Sequence, residues 1–151
     1  MGALTHLRPA WIFDVDGTLA DVSTIRYLVE GSEKNFAEFH SRSVDMPPHD
    51  HVVALAKQAH ADGYAVLVVT ARTQTYRPHT AMWLALHDIP SDAMYMRAAG
   101  DHRPDYEVKK DILARIRTCY HVVHAVDDNP SVLALWEEEN IPTTRIPGWG
   151  E

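Results

Sequence analysis

Two aspartates one residue apart, Asp14 and Asp16, close the short apolar run Trp11-Ile12-Phe13 and lead into Gly17-Thr18. Further along, in order, come Thr70 at the end of a second apolar run, Lys109 in a helical stretch, and the pair Asp127-Asp128 closing a third run. This set can transfer a phosphoryl group. Asp14 would attack phosphorus to give an aspartyl-phosphate. Asp16 would protonate the leaving oxygen and then deprotonate the hydrolytic water. Two close carboxylates repel, which raises one pKa so that one stays protonated while the other attacks. Asp14, Asp127 and Asp128 offer the hard oxygen ligands that Mg2+ prefers, and such an ion would offset the repulsion between a carboxylate and a phosphate dianion. The Thr70 hydroxyl and the Lys109 ammonium are the phosphate anchors, with Asp105, one helical turn before Lys109, placed to hold it. Arg72, Arg97 and Arg103 fall in loops after strands, where guanidinium forks suit phosphate.

Each piece has a plainer reading. Asp-x-Asp-Gly is often a turn, Asp127-Asp128-Asn129-Pro130 is often a helix cap, and a lone helical lysine is usually solvated. The argument rests on all four occurring in order at the ends of the elements that must carry them.

Those elements are legible as alternating strands and helices. Residues 10–14, 64–69 ending at Thr70, 93–96 and 121–126 read as short apolar strands, with a last one near 143–146. Residues 49–61 place Val52, Leu55, Ala56 and Ala59 on one stripe, with Gly63 as a stop. Residues 78–88 put Met82, Leu86 and Ile89 in helical register after Pro78. Residues 106–118 turn Val108, Ile112, Ile116 and Cys119 inward behind an Asp105 cap, and Asn129-Pro130 starts a helix with Val132, Leu135 and Trp136 toward the core. Strands alternating with helices imply an α/β fold, a parallel sheet covered on both faces, with ligands at the carboxyl ends of the strands where strand order reverses. Asp14, Thr70 and Asp127-Asp128 all fall at such ends.

The 151 residues fit one domain, 1–151, with a real core. The chain is 46% hydrophobic and 23% charged, ordinary for a globular protein, and no apolar run reaches membrane-spanning length. No secretory leader is visible, and the single cysteine, Cys119, makes no internal disulfide, so a reducing cytoplasmic setting is expected. A formal net charge of −7 speaks against a non-specific nucleic-acid coat. The 10 histidines are scattered without zinc spacing and are read mostly as surface residues.

With these motifs in place, the chain resembles the haloacid dehalogenase superfamily of phosphotransferases. Asp14-Val15-Asp16-Gly17-Thr18, Thr70, Lys109 and Asp127-Asp128 stand as its four motifs. A narrower likeness, carried by Met96-Arg97 through Gly100-Asp101, Arg103, Asp105 and Lys109, is to the phosphatase domains of phage polynucleotide kinase-phosphatases. The resemblance implies a Rossmann-like three-layer α/β/α sandwich with little or no cap, Mg2+ as cofactor, and removal of 3′-phosphates from nucleic-acid ends. It assigns Asp14 as nucleophile, Asp16 as acid/base, and Thr70 and Lys109 as phosphate anchors. Arg72, Asp105 and Arg26 also match functional positions. Thr18 joins the substrate contacts and Asp16 the metal ligands. Thr70-Ala71-Arg72 departs slightly from the usual Ser/Thr-Gly-Arg, and no glycine-rich phosphate loop occurs, so kinase activity is not expected.

The substrate is the open question: a 3′-phosphorylated end, a nucleotide, or a small phosphorylated metabolite. Only about 18 residues separate Lys109 from Asp127, too few for a large cap. Residues 21–48 hold one short helix, 33–42, as a small cover, and Phe36 and Phe39 are expected to pack it onto the sheet rather than stack a base. A receiver-like phospho-acceptor is set aside because receivers carry the acid pair first and the phosphorylated aspartate later. An inactive binding module would have no use for Asp16.

Overall fold

The computed structural model describes residues 7–148. Trp149 therefore lies outside the described residues. Five strands form one parallel sheet: β1 (Arg8–Phe13), β2 (Ala65–Thr73), β3 (Ala93–Arg97), β4 (Tyr120–Asp127) and β5 (Thr143–Arg145), in the order β3-β2-β1-β4-β5. β1 lies at the centre, with Phe13 opposite Val68 of β2 and Val126 of β4.

The near-continuous apolar runs of β1, β2 and β4 follow from burial on both faces. Side chains alternate between two cores. Phe13, Val66, Val68 and Val126 enter one, and Ile12, Leu67, Val69 and Ala125 the other. The first core is closed by α1 (Phe36–Ser43), α2 (Asp50–Ala61) and α3 (Arg77–Leu86) through Phe39, Val52, Val53, Ala56, Ala59, Trp83 and Leu84. The second is closed by α4 (Asp105–Ile116) and α5 (Pro130–Glu138) through Val108, Ile112, Leu113, Ile116, Val132, Leu135 and Trp136. Helices on both faces of the sheet make the expected three-layer α/β/α arrangement. No helix among the described residues is long and apolar enough to cross a membrane.

The chain runs from β1 outward to β2 and β3, then returns to the other side of β1 for β4 and β5. Strand order therefore reverses between β1 and β4, which opens a crevice at their carboxyl ends. Asp14 follows β1 and Asp127 ends β4.

Three local expectations are corrected. Met82 and Leu86 are exposed, not inward. Trp83 fixes the rotation of α3 by donating its indole N–H to the Met46 carbonyl at 2.7 Å, one residue step away from the expected face. Cys119 is exposed, because α4 stops before it and the following turn leaves the helical register. The N-cap of α4 is Pro104, and Asp105 is its first helical residue. Phe39 packs into the core as expected, whereas Phe36 stays exposed.

Trp136 is fully buried and anchors α5 against the sheet. Trp136→Ala should destabilise the fold by about 3–5 kcal/mol. Urea unfolding checks this, and an unchanged midpoint would show that the α5 face contributes little.

Candidate active site

The site begins where β1 ends. The Asp14 amide continues the ladder onto the Val126 carbonyl at 3.1 Å, after which the chain folds back so that the Thr18 and Ala20 amides donate to the Val15 carbonyl. Gly17 makes this turn possible. Its φ is +83°, and a Cβ there would sit 2.0 Å from Asp128 Oδ2. Only a residue without a side chain fits both demands. The turn sends the two acids apart, Asp14 toward β4 and Asp16 toward β2.

Asp14 is buried, and its two oxygens are held separately. Lys109 donates to Oδ1 at 2.9 Å, and the Thr18 hydroxyl lies 3.1 Å from Oδ2 and 3.2 Å from Asp128 Oδ1. The same Lys109 ammonium donates to Asp127 Oδ2 at 2.8 Å. Asp127 uses its other oxygen to accept the Asp128 and Asn129 amides, while Asn129 caps α5 by accepting from the Ser131 amide. The helix-cap reading and the site reading of this segment thus both hold, on different side chains.

Three carboxylates, Asp14, Asp127 and Asp128, bring ligand oxygens within 4.8 Å of one another. Lys109 is shared between two of them, and Arg26 approaches Asp128 Oδ2 at 3.6 Å. Burial pushes the Asp14 carboxyl well above the ordinary range and Asp127 adds to it, with Lys109 opposing and Asp128 adding again. Burial alone would depress Lys109, but Asp127 and Asp14 more than reverse that and raise it. A desolvated cluster of hard oxygen donors with surplus negative charge fits a divalent cation.

Asp16 is gripped by Arg72. Nε donates to both carboxylate oxygens (3.2 and 3.1 Å) and Nη2 donates to Oδ1 at 2.7 Å. Arg72 is buried, and its remaining donors reach the Thr80 hydroxyl and the Ser43 carbonyl. It ties β2, α3 and the end of α1 to Asp16. Arg72 was expected against substrate; in the structure it is an internal brace. Arg97 is likewise engaged by the protein, donating to the Ala71, Asp101 and Arg103 carbonyls and to Asp105 at 2.7 Å. Arg103 pairs with Asp101 and Asp111. Asp105 therefore holds Arg97, not Lys109 as expected. Arg103 above all holds the Asp101 carboxyl at about 2, by side-chain and backbone hydrogen bonds.

Thr70, at the site end of β2, accepts the Arg72 amide at 3.2 Å, and its own hydroxyl proton has no acceptor among the described residues. Above these groups opens a cavity of about 610 Å3, with Asp14, Asp16, Thr70, Lys109 and the Asp127-Asp128 pair on one side. Arg26, Arg97, Arg103 and Asp105 also line it. The segment 21–48 faces the cavity through Val22, Val29, Lys34, Phe36, Phe39 and His40. Lys34 and His40 were not singled out as contacts from the sequence, and Phe36 was expected to pack rather than stack a base. Phe36 and His40 lie four apart on one helix face, a spacing visible only once that face is known to be the inner one.

Comparison with known proteins converges on one family. The family model described as the polynucleotide kinase PNKP phosphatase domain matches residues 8–147. A protein of Autographa californica nuclear polyhedrosis virus, described as a bifunctional polynucleotide kinase/RNA ligase, is 26% identical over 137 residues, spanning 89% of this chain and 18% of the viral protein. A solved Pnkp1/Rnl/Hen1 RNA repair complex contains a chain with 28% identity and a TM-score of 0.82, over 97% of this chain and 45% of that one. A second Pnkp1/Rnl/Hen1 complex gives 30% identity and a TM-score of 0.78, over 95% and 47%. The chain thus spans less than half the length of these relatives. A class C acid phosphatase of Bacillus anthracis shares the fold, with a TM-score of 0.66 at 11% identity over 97% of this chain and 69% of that one.

Gly17→Ala should cost about 1–2 kcal/mol in backbone strain alone and displace Asp128 as well. Thermal melting and phosphate release from an aryl phosphate should both fall. Wild-type values for both would mean that the turn tolerates a side chain.

Proposed function

The chain belongs to the phosphatase-domain family of polynucleotide kinase-phosphatases and is a hydrolase of the haloacid dehalogenase type, and on that premise we propose that it removes 3′-phosphates from nucleic-acid ends or nucleotides through an aspartyl-phosphate on Asp14. The observation that carries this reading is the position of Asp14. It is buried at the switch point, bonded to Lys109, beside Asp127 and Asp128, and it opens on a cavity shared with Asp16.

In the first half-reaction an Asp14 oxygen attacks phosphorus and the ester oxygen leaves with a proton from Asp16. In the second, Asp16 takes a proton from water, which attacks the acyl phosphate and frees Asp14. Arg72 grips Asp16 from the protein side, so the carboxylate faces the cavity in a set direction. Lys109 and the free Thr70 proton serve as the phosphate anchors, and Lys109 moves little because two carboxylates fix it.

Asp14, Asp127 and Asp128 would hold Mg2+, which when bound neutralises carboxylate and phosphate charge. The Asp16 carboxylate, expected among the ligands, is held by Arg72 outside that cluster. Thr18 shares its proton between Asp14 and Asp128 and keeps those ligands aligned. Arg26, Arg97, Arg103 and Asp105 shape the wall of the cavity. Arg103 is the most exposed of the three arginines and the candidate direct contact. Arg26 is held by the Gly148 carbonyl and Asp128, and Arg97 stiffens the loop that carries Arg103. Residues 1–151 act as one phosphatase unit, with 21–48 as its small cover. A reducing, cytoplasmic setting suits the exposed Cys119 thiol.

The test is phosphate release from a 3′-phosphorylated oligonucleotide, its 5′-phosphorylated twin, the mononucleotides and an aryl phosphate. Preference for the 3′ end is expected, with loss of activity on chelation and recovery with Mg2+. Asp14→Asn and Asp16→Asn should each abolish turnover without unfolding the protein, and Lys109→Ala should lower kcat/KM by about 100-fold or more. Activity that survives chelation, or near-wild-type turnover by Asp14→Asn, would refute the mechanism.

A further inference from the structure

His40 lies in the catalytic cavity and has no part in the chemistry above. It sits on the inner face of α1, one turn after Phe36, and both line the cavity. Its ring is wedged against Phe39, with centroids 5.6 Å apart and nearly perpendicular planes, and against Tyr76 at 6.2 Å. Its Nδ1 is sealed from solvent with no hydrogen-bond partner. Nε2 has no partner among the described residues either, but it is not sealed.

This asymmetry sets the tautomer. A proton on Nδ1 would be a buried, unsatisfied donor, the rarer and costlier kind of orphan. The neutral ring therefore carries its proton on Nε2, the nitrogen that is not sealed, on a residue that lines the cavity. The charged groups facing the ring are Asp16, Arg72, Asp105 and Arg97. Burial holds the imidazole below the ordinary histidine value; Asp16 opposes this, and Arg72 adds to the depression. Near neutral pH His40 is thus an uncharged donor of fixed direction.

Its place in the reaction follows from its neighbours. Lys109, Thr70 and the Asp127-Asp128 pair take the phosphate side. Asp16, which shares the cavity with His40 and is tied through Arg72 to the Ser43 carbonyl one turn beyond it, takes the leaving-oxygen side. A phosphate dianion would be better met by a cation than by a neutral N–H. An uncharged donor beside the leaving oxygen suits an uncharged acceptor next to that oxygen. In a nucleoside 3′-phosphate that neighbour is the 2′-hydroxyl, the group by which a protein tells RNA from DNA. Phe36, 54% exposed at the same wall, offers a face for the terminal base.

We infer that Phe36 and His40 form a leaving-nucleoside subsite in which the Nε2 proton of His40 is donated to the 2′-hydroxyl of the terminal ribose, so that ribonucleotide 3′-phosphate ends are preferred over deoxyribonucleotide ends. The inference rests on the 3′-end reading and specifies its substrate class.

The experiment uses two 3′-phosphorylated oligonucleotides that differ only in a 2′-hydroxyl or 2′-hydrogen on the last sugar, with an aryl phosphate alongside. Wild type should favour the ribose end by about five-fold in kcat/KM, the worth of one net hydrogen bond. His40→Leu should bring that ratio to about one, and His40→Gln, whose amide keeps a donor near the Nε2 position, should restore most of it. The ratio is taken within one preparation, so a smaller folded fraction in a variant cancels. Phe36→Ala should raise KM for both ends and leave the ratio in place. Equal turnover of both ends by wild type, or an undiminished ratio in His40→Leu, overturns the inference while the 3′-end reading stands. Turnover of the aryl phosphate with neither end accepted overturns the 3′-end reading, and the inference falls with it.

Discussion

The Lys109 ammonium reaches Asp14 beyond β1 at 2.9 Å and Asp127 on β4 at 2.8 Å, so the two central strands are joined at their carboxyl ends by a buried charge. Neither carboxylate would be tolerable in that environment alone, and the ammonium would be equally costly without them. Two cations, Lys109 and Arg26, among three nearby acids still leave the cluster short of positive charge; burial first, and the neighbouring Asp127 after it, raise Asp14, and the shortage makes the place receptive to a divalent ion. The same surplus would oppose a phosphate dianion. Structural charge balance and chemistry are thus one problem, resolved at the point where strand order reverses.

Everything around this cluster keeps the acids from collapsing together. Gly17 lets the backbone pass within contact of Asp128 and turns Asp16 away from Asp14. Arg72 then receives Asp16 in a buried fork that also grips Thr80 and the Ser43 carbonyl. A single guanidinium thereby couples the acid/base candidate to α3 and to the end of the cover helix α1. A shift of the cover would be felt at Asp16 through Arg72, and α1 also carries Phe36 and His40 on the cavity wall. Substrate size and catalytic geometry are consequently set by connected parts.

The candidate site was legible from residue types because motif residues at strand ends must converge in a parallel α/β sheet. Asp14, Thr70, Lys109 and Asp127-Asp128 meet where that logic puts them. The partners of the charged residues were not legible. Asp105 lies one turn from Lys109, yet it pairs with Arg97, because Lys109 points inward to the sheet and Asp105 to the loop before its helix. The arginines expected in loops looked like phosphate forks, but Arg72 lies within β2 and Arg97 ends β3, and their donors are taken by carbonyls and carboxylates of the protein itself. Met82 and Leu86 misled because a two-residue apolar spacing fits either of two neighbouring helix faces, and Trp83 decided between them.

Sequence alone determined the α/β class, the order of the elements and which candidate side chains would stand at the strand ends, since apolar periodicity and strand-end placement are local properties of the chain. Tertiary structure decided what those side chains bond to. The Asp16–Arg72 grip spans 56 residues, the Lys109–Asp14 bond spans 95, and the unpartnered nitrogen of His40 has meaning only against the walls around it. Hydrogen-bond partners are a property of packed surfaces, and no spacing along the chain encodes which surfaces will meet.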